Sequence, residues 1–382
     1  MPYFDNAATT FPKPEAVYSF MDKFYRENGV NLGRGQHKQA FVASKLRDET
    51  RSLLLELFHC SANKVAFTHS ATEAINVILQ GLDISNNYNI YLSPFEHNAV
   101  TRVIHYLQSI HSLNIFTLVV DEQTLKYDLE KIKHQFAENK PHLTVISHAS
   151  NVCGVVAPIE EICSLSKSYN AINLIDMAQT AGLVDTDLSS GIYDFAVFAG
   201  HKTLYAPLGI AGFICRGDVR LKPLLYGGTG NDSGNQNLPS SIPEMYEVGS
   251  PNVAAIAGLN AALKWIKTIG ISNIRTREKQ NLIKLLEMLE KYENIKVIGV
   301  KDTNNSVGIV SCLFDGYSSD SIGQILNEKG VAVRTGLHCA PYAHKFLGTC
   351  PAGTVRFSVS YFNDDNDFAA LEEALQYIEI NG

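Results

Sequence analysis

Residues 171–202, AINLIDMAQTAGLVDTDLSSGIYDFAVFAGHK, constrain the fold of this chain more than any other stretch. Ala171–Ile175 and Tyr193–Phe198 are short apolar runs bounded by turn-forming residues, which predicts two buried strands. Each ends in groups that an apolar neighbourhood disfavours: Asp176, with Gln179 close behind, and Gly200-His201-Lys202. In open α/β sheets the ligand sits outside the carboxyl ends of the strands. A carboxylate and a primary amine brought together there admit two readings. They pair as a salt bridge, or they hold pyridoxal phosphate (PLP), whose protein contacts are a Schiff-base lysine and an acidic partner for the ring nitrogen. These residues alone do not separate the two.

The rest of the chain repeats the pattern. Residues 15–28 and 38–58 have helical spacing, joined by a glycine-punctuated loop that carries Arg34 and His37 as solvated or functional charges. Lys64–His69 reads as a strand, and Ser70-Ala71-Thr72-Glu73 opens a helix with capping-box spacing. That helix start is an ordinary cap or a phosphate seat, with free backbone N–H groups and the Thr72 hydroxyl as a further donor. Ile90–Ser93 is a strand followed by Glu96-His97-Asn98-Ala99, where His97 either caps the next helix or lies against an aromatic cofactor ring. Leu143–Ser147 is a further strand, leading to Asn151. Strands alternate with helix-length segments, which predicts an α/β fold with a parallel sheet.

Composition narrows the function classes. With 382 residues, 45% of them hydrophobic, the chain can bury a large core and is expected to form two domains or so. The net charge of -7, without a lysine-arginine block, argues against a nucleic-acid partner. No apolar stretch approaches the roughly 20 residues that span a membrane, and the N-terminus has no secretory pattern. Seven cysteines without a paired framework read as free thiols in a reducing compartment, so a cytoplasmic location is expected.

SATEAIN, EHNA, HASNVCGVVAPI, DMAQ and GHK, in this order and spacing, resemble the fold-type I PLP enzymes of aminotransferase class V. Within them the similarity is to the cysteine desulfurases and selenocysteine lyases. The resemblance runs from about Asp5 to the last helix and implies a large PLP-binding domain (14–255) with a mostly parallel sheet. A smaller α/β domain would be formed by 1–13 and 256–382. It implies that Lys202 is the Schiff-base lysine, that Asp176 pairs with the ring nitrogen and that Gln179 bonds the ring oxygen. His97 would stack on the ring, while Asn151 would face the ring oxygen and substrate. Thr72, His201 and the backbone at Ala71 would hold the phosphate. The hydroxyl of Ser250 would reach the phosphate of a neighbouring subunit, which implies a homodimer with shared active sites. One departure stands at Ala199, where the desulfurases usually carry a serine that contacts the phosphate. The stretch 226–243, rich in Gly, Asn and Ser, has no periodicity and reads as a long functional or surface loop.

The C-terminal third carries the sharper chemistry. From Ile295 the pattern is again strand and helix: KVIGV, VGIVSCLF, a helix over 318–329, VAVRTG, TVRFSVS and a terminal helix. In RTGLHCAP, Cys339 lies among Gly, His and Pro, which suggests partial exposure, whereas a lone cysteine is usually apolar filler. By the resemblance Cys339 is the desulfurase nucleophile of the short-loop group, Arg356 binds the substrate carboxylate, and Arg334 is a second basic group beside it. Leu337 stands where many relatives have histidine. His338, Cys339 and His344 with Cys350 lack zinc spacing, so no metal site is expected. The activity implied is conversion of L-cysteine to L-alanine with a persulfide on Cys339, for transfer to a sulfur-acceptor protein. Selenocysteine lyase, another class V aminotransferase or lyase, and a non-catalytic protein of this fold stand as alternatives.

Overall fold

Alternating apolar runs and helix-length segments fold here as a sheet sandwiched between two helical layers. The computed structural model describes residues 1–32, 35–230, 234–299 and 302–381, so Arg34 lies outside the described residues. Strands β1 Lys64–Thr68, β2 Tyr88–Leu92, β3 Leu113–Thr117, β4 Leu143–Ser147, β5 Ile172–Asp176, β6 Phe195–Ala199 and β7 Ala211–Cys215 form one sheet. Their order is β1-β7-β6-β5-β4-β2-β3. From β3 to β6 every pair is parallel, and β7 runs antiparallel to both β6 and β1. The sheet is therefore mostly parallel, with one reversed strand.

Helices α1 Glu15–Asn28, α2 Lys38–Leu57, α3 Ala71–Gly81, α4 Asn98–Ile110, α5 Leu129–Glu138, α6 Ile159–Lys167 and α7 Val253–Ile269 cover its two faces. Successive side chains of a strand point to opposite faces, and here both faces are covered. Leu174, Phe195 and Val197 pack with α3 and α4 on one side; Ile175, Ala196 and Phe198 pack with α2, α5, α6 and α7 on the other. Each of the larger side chains, Ala196 excepted, contributes roughly 1.5–3 kcal/mol by leaving water. This double burial is why the strands read as unbroken apolar runs. Gly212 on β7 lets the sheet close, because a Cβ there would lie 2.3 Å from the carbonyl oxygen of Ala66.

A second sheet contains β8 Ile295–Ile298, β9 Ile309–Phe314, β10 Arg334–Gly336 and β11 Thr354–Ser358, antiparallel in the order β10-β11-β9-β8. Helices α8 Ile271–Leu289, α9 Ser319–Glu328 and α11 Asp365–Asn381 complete its core, and the short α10 Pro341–Phe346 leaves the turn after β10. The N-terminus belongs to this core: Phe4 is fully buried in it, and Tyr3 and Asp5 bridge to Ala332 and Ser358. The described residues of 226–243 contain neither helix nor strand. His37, left open between solvated and functional, caps α2 by accepting the Ala40 N–H at 3.4 Å.

Candidate active site

The carboxyl ends of β1, β2, β4, β5 and β6 meet in a cavity of about 260 Å³. At the end of β1, Ser70 Oγ accepts the Glu73 N–H at 3.1 Å and caps α3, while Glu73 reaches back to His69 N at 2.9 Å. Ala71 and Thr72, in the first turn of that helix, line the cavity. Unpaired N–H groups and the positive dipole end favour an anion there. His97 caps α4: its Nδ1 accepts the Ala99 N–H at 3.0 Å, which puts the ring proton on Nε2. Burial, then the charges of Lys202 and Arg334, hold its pKa down at about 4, so the ring is neutral near pH 7.

Asp176 ends β5 and accepts the Ala178 N–H at 2.9 Å. Lys202 follows β6 through Gly200, where a Cβ would lie 2.6 Å from Ile210 O, so only glycine lets the chain pass this close. Burial lowers the Lys202 pKa to about 8, and Asp176 opposes that fall. Burial likewise raises the Asp176 pKa, against the Ala178 N–H and the charge of Lys202. Gln179 Nε2 donates to Ala7 O at 3.0 Å.

The second sheet supplies the opposite wall. Arg334 and Arg356 are cross-strand neighbours on β10 and β11. Arg356, 2% exposed, donates through Nη1 to Asn151 O at 3.0 Å and through Nη2 to Asp5 at 2.7 Å. The turn after β10 is tied to the first sheet, since Asn151 Nδ2 donates to His338 O at 2.7 Å and Asn98 N to Cys339 O at 2.7 Å. His338 and Cys339 both have positive φ, 47° and 57°, a conformation that costs non-glycine residues on the order of 1–3 kcal/mol each and persists where surroundings enforce it. This turn exposes Cys339, and Arg334 Nη2 lies 3.7 Å from its Sγ. His338 does not serve the thiol: it is buried and its Nε2 is bonded to Thr354 Oγ1 at 2.8 Å.

Aminotransferase class-V sequences match this chain over residues 2–371. The chain belongs to the aminotransferase class-V family. Among its class-V relatives, a probable cysteine desulfurase of Methanothermobacter thermautotrophicus is 30% identical, covering 98% of this chain and 94% of the relative. One from Pyrococcus abyssi is 30% identical over 99% of this chain and 92% of its own. The apo cysteine desulfurase of Thermococcus onnurineus superposes with a TM-score of 0.90 at 26% identity, over 100% of this chain and 95% of that one. The Escherichia coli cysteine desulfurase CsdA, in its S-sulfonic acid form, gives 0.86 at 25% identity, over 98% of this chain and 94% of that one.

Class-V enzymes depend on PLP, and the residues present fit it. Asn151 Oδ1 and His201 Nδ1 are buried polar atoms of the cavity lining without a protein partner. Asp176 is a carboxylate whose burial calls for a cation, which a protonated ring nitrogen would supply. The helix start at Ala71-Thr72 offers an anion seat, and Ala199, also in the lining, presents only a methyl group.

Of the residues expected at the site, Ala71, Thr72, His97, Asn151, Asp176, Gln179, His201, Lys202, Arg334, Cys339 and Arg356 all line this one cavity. Ser250 does not; it lines a separate hollow with Arg51 and Glu247. Sequence reasoning missed the N-terminal contributions of Asp5, Thr10 and Lys13, the last two donating to Lys202 O at 2.8 Å and His201 O at 2.6 Å. It also missed Glu96 and Ser147 behind His97 and Asp176. For the three N-terminal residues the signal was polar residues in an otherwise strand-like start, which says nothing about what they touch. Among the described residues no group of three or more His, Cys, Asp or Glu is placed to hold a metal ion, and no helix is long and apolar enough to cross a membrane.

Proposed function

We propose that this protein is a PLP-dependent cysteine desulfurase, working as a cytoplasmic homodimer. The observation that carries the reading is a thiol on the wall of the cavity that Lys202 and Asp176 line, with a buried arginine behind it. When bound, the cofactor supplies an electron sink for the substrate carbon skeleton. Lys202, Asp176, His97, Gln179, Asn151, Thr72, His201 and the Ala71 backbone are the residues that would hold it. The rest is the work of this chain. Arg356 binds the α-carboxylate of L-cysteine, with Arg334 and Asn151 beside it. Lys202, whose amine sheds its proton near pH 8, takes the Cα proton and returns protons to carbon. Cys339 attacks as thiolate: its sulfur bonds to the substrate sulfur, the carbon–sulfur bond breaks and the electron pair stays with carbon. Protonation of that carbon gives L-alanine, and the removed sulfur remains on Cys339 as a persulfide.

Cys339 also lines an outer hollow with Arg102, His105 and Tyr342, which supports onward transfer of the sulfur to an acceptor protein. A hydroxyl at Ser250, outside its own chain's cavity, supports service to a partner's phosphate.

Cys339→Ser tests the reading. The variant should bind PLP and L-cysteine normally yet release alanine at a rate lower by about a hundredfold or more, because a serine hydroxyl is barely ionised near pH 7. Mass spectrometry of the wild type should find one extra, reducible sulfur on the Cys339 peptide. With L-selenocysteine the loss should be smaller, since a carbon–selenium bond breaks more readily. Wild-type alanine release by the variant, with no persulfide on the wild-type peptide, refutes the mechanism.

A further inference from the structure

Arg356 is surrounded by more structure than carboxylate binding by itself requires. It is a nearly inaccessible guanidinium facing a second one, Arg334, across the β10–β11 ladder. Like charges directly opposed on neighbouring strands destabilise a sheet, and a buried cation needs an anion. The anion comes from the other end of the chain. Asp5 bridges to Ser358, two residues beyond Arg356 on β11, and accepts from Arg356 Nη2 at 2.7 Å. Among the described residues, this is the salt bridge with the most deeply buried cation, its two side chains being 2% and 20% exposed.

Asp5 is itself held still. Tyr3 Oη donates to Asp5 O at 3.2 Å, Asn6 Nδ2 to Ser358 O at 2.9 Å and Ala7 N to Ser358 Oγ at 2.9 Å. Its carboxylate and the Asn151 carbonyl therefore grip the guanidinium at Nη2 and Nη1 from two different segments. A guanidinium has five N–H donors in one plane, so three remain once these two are engaged. One of the three is Nε, buried and without a protein partner on a side chain that lines the cavity. Two cations and one carboxylate leave a net positive charge that one further carboxylate completes.

We infer that Asp5 is a positioning residue for the substrate: it fixes the plane of Arg356 so that the free N–H groups face the cavity, and it trims the local charge to suit a single α-carboxylate. The inference rests on the reading of Arg356 as the carboxylate-binding residue. Without Asp5 the guanidinium is held at one point, and the incoming carboxylate must orient it as well as bind it. The cost falls on binding, because Lys202, Asp176 and Cys339 are not touched by Asp5.

The experiment uses the holoenzyme, with Asp5→Ala, Asp5→Asn, Arg356→Ala and the double variant Asp5→Ala/Arg356→Ala. Each is assayed for KM and kcat with L-cysteine, for L-alanine affinity by absorbance titration, and for Tm. Loss of a charge-assisted hydrogen bond should raise KM and the L-alanine Kd by about tenfold to a hundredfold in Asp5→Ala, with kcat changed far less. Asp5→Asn keeps an acceptor for Nη2 and should fall between the two; it carries the test by itself if the alanine variant does not fold. The double variant should match Arg356→Ala, since Asp5 acts only through that side chain. A normal KM in Asp5→Ala and Asp5→Asn, or effects that simply add in the double variant, would overturn the inference. A normal KM in Arg356→Ala would overturn the reading of Arg356 itself, and the inference with it.

Discussion

Replacing Glu96 by glutamine should make the protein more stable as pH rises. Glu96 is fully buried between the ends of β2 and β4, immediately before His97. Its Oε1 accepts from Ser93 Oγ at 2.5 Å and from Ser147 N at 2.6 Å, and Oε2 lies 3.0 Å from Ser147 Oγ. Burial pushes its pKa from 4.5 to about 8; those three hydrogen bonds pull the other way and the charge of Asp176 adds to the rise. At about 1.36 kcal/mol per pH unit, this gap favours the neutral carboxyl over the charged one by on the order of 5 kcal/mol in the folded state. The folded state thus holds the proton more tightly than the unfolded chain. That contribution is complete below pH 4.5 and is lost as pH climbs to about 8.

Glutamine copies the neutral form. Its amide oxygen keeps both acceptances at Oε1, and its nitrogen donates to Ser147 Oγ as a protonated carboxyl would. It does not titrate. Urea unfolding of the cofactor-free protein, wild type against Glu96→Gln, should give stabilities within about 1 kcal/mol of one another at pH 5, with the variant gaining roughly 3 kcal/mol by pH 8. The difference between the two proteins cancels the titration of His97, His148 and Lys202, which they share. A difference that stays flat from pH 5 to pH 8 would show that Glu96 is ionised throughout, and the argument from burial would fail.

Lys202→Ala should abolish the near-visible absorbance of lysine-bound PLP in the purified protein; a spectrum that persists would remove Lys202 from its role. Asp176→Asn should retain PLP but lower kcat by about a hundredfold or more, because the ring nitrogen loses the anion that keeps it protonated. Unchanged turnover there would overturn the assignment. Ser250→Ala should weaken PLP retention by about tenfold, a hydrogen bond to a charged phosphate being worth roughly 1.5–3 kcal/mol. Ala199 provides no hydroxyl to compensate, so equal retention by variant and wild type after extensive dialysis would exclude a role for Ser250 across the dimer.

The sequence by itself determined the parts of this protein that depend on neighbours in the chain. Short runs such as Leu143–Ser147 and Ala171–Ile175 were legible as buried strands, because their length, their mainly apolar and β-branched content and the turn residues around them suit a covered sheet better than a helix. The spacing of Ser70 and Glu73 was enough for a helix start, and the polar groups at strand ends were enough to locate the cavity, since carboxyl ends of parallel strands share one edge. Local pattern is silent on direction and on pairs far apart in sequence. The reversed strand β7 reads like its parallel neighbours because all five of its residues are buried, as they are in β4 and β6. The partial exposure of the edge strand β3 weakens the apolar signal that would have revealed it. Asp5 and Arg356 lie 351 residues apart, and nothing in either's neighbourhood names the other. Only the tertiary structure brings that carboxylate onto the guanidinium, because the N-terminal segment and β11 meet in a core built from both ends of the chain. Tertiary contact likewise decided that His338 is a buried partner of Thr354 while the adjacent Cys339 stands exposed: two residues of left-handed backbone turn them to different surroundings.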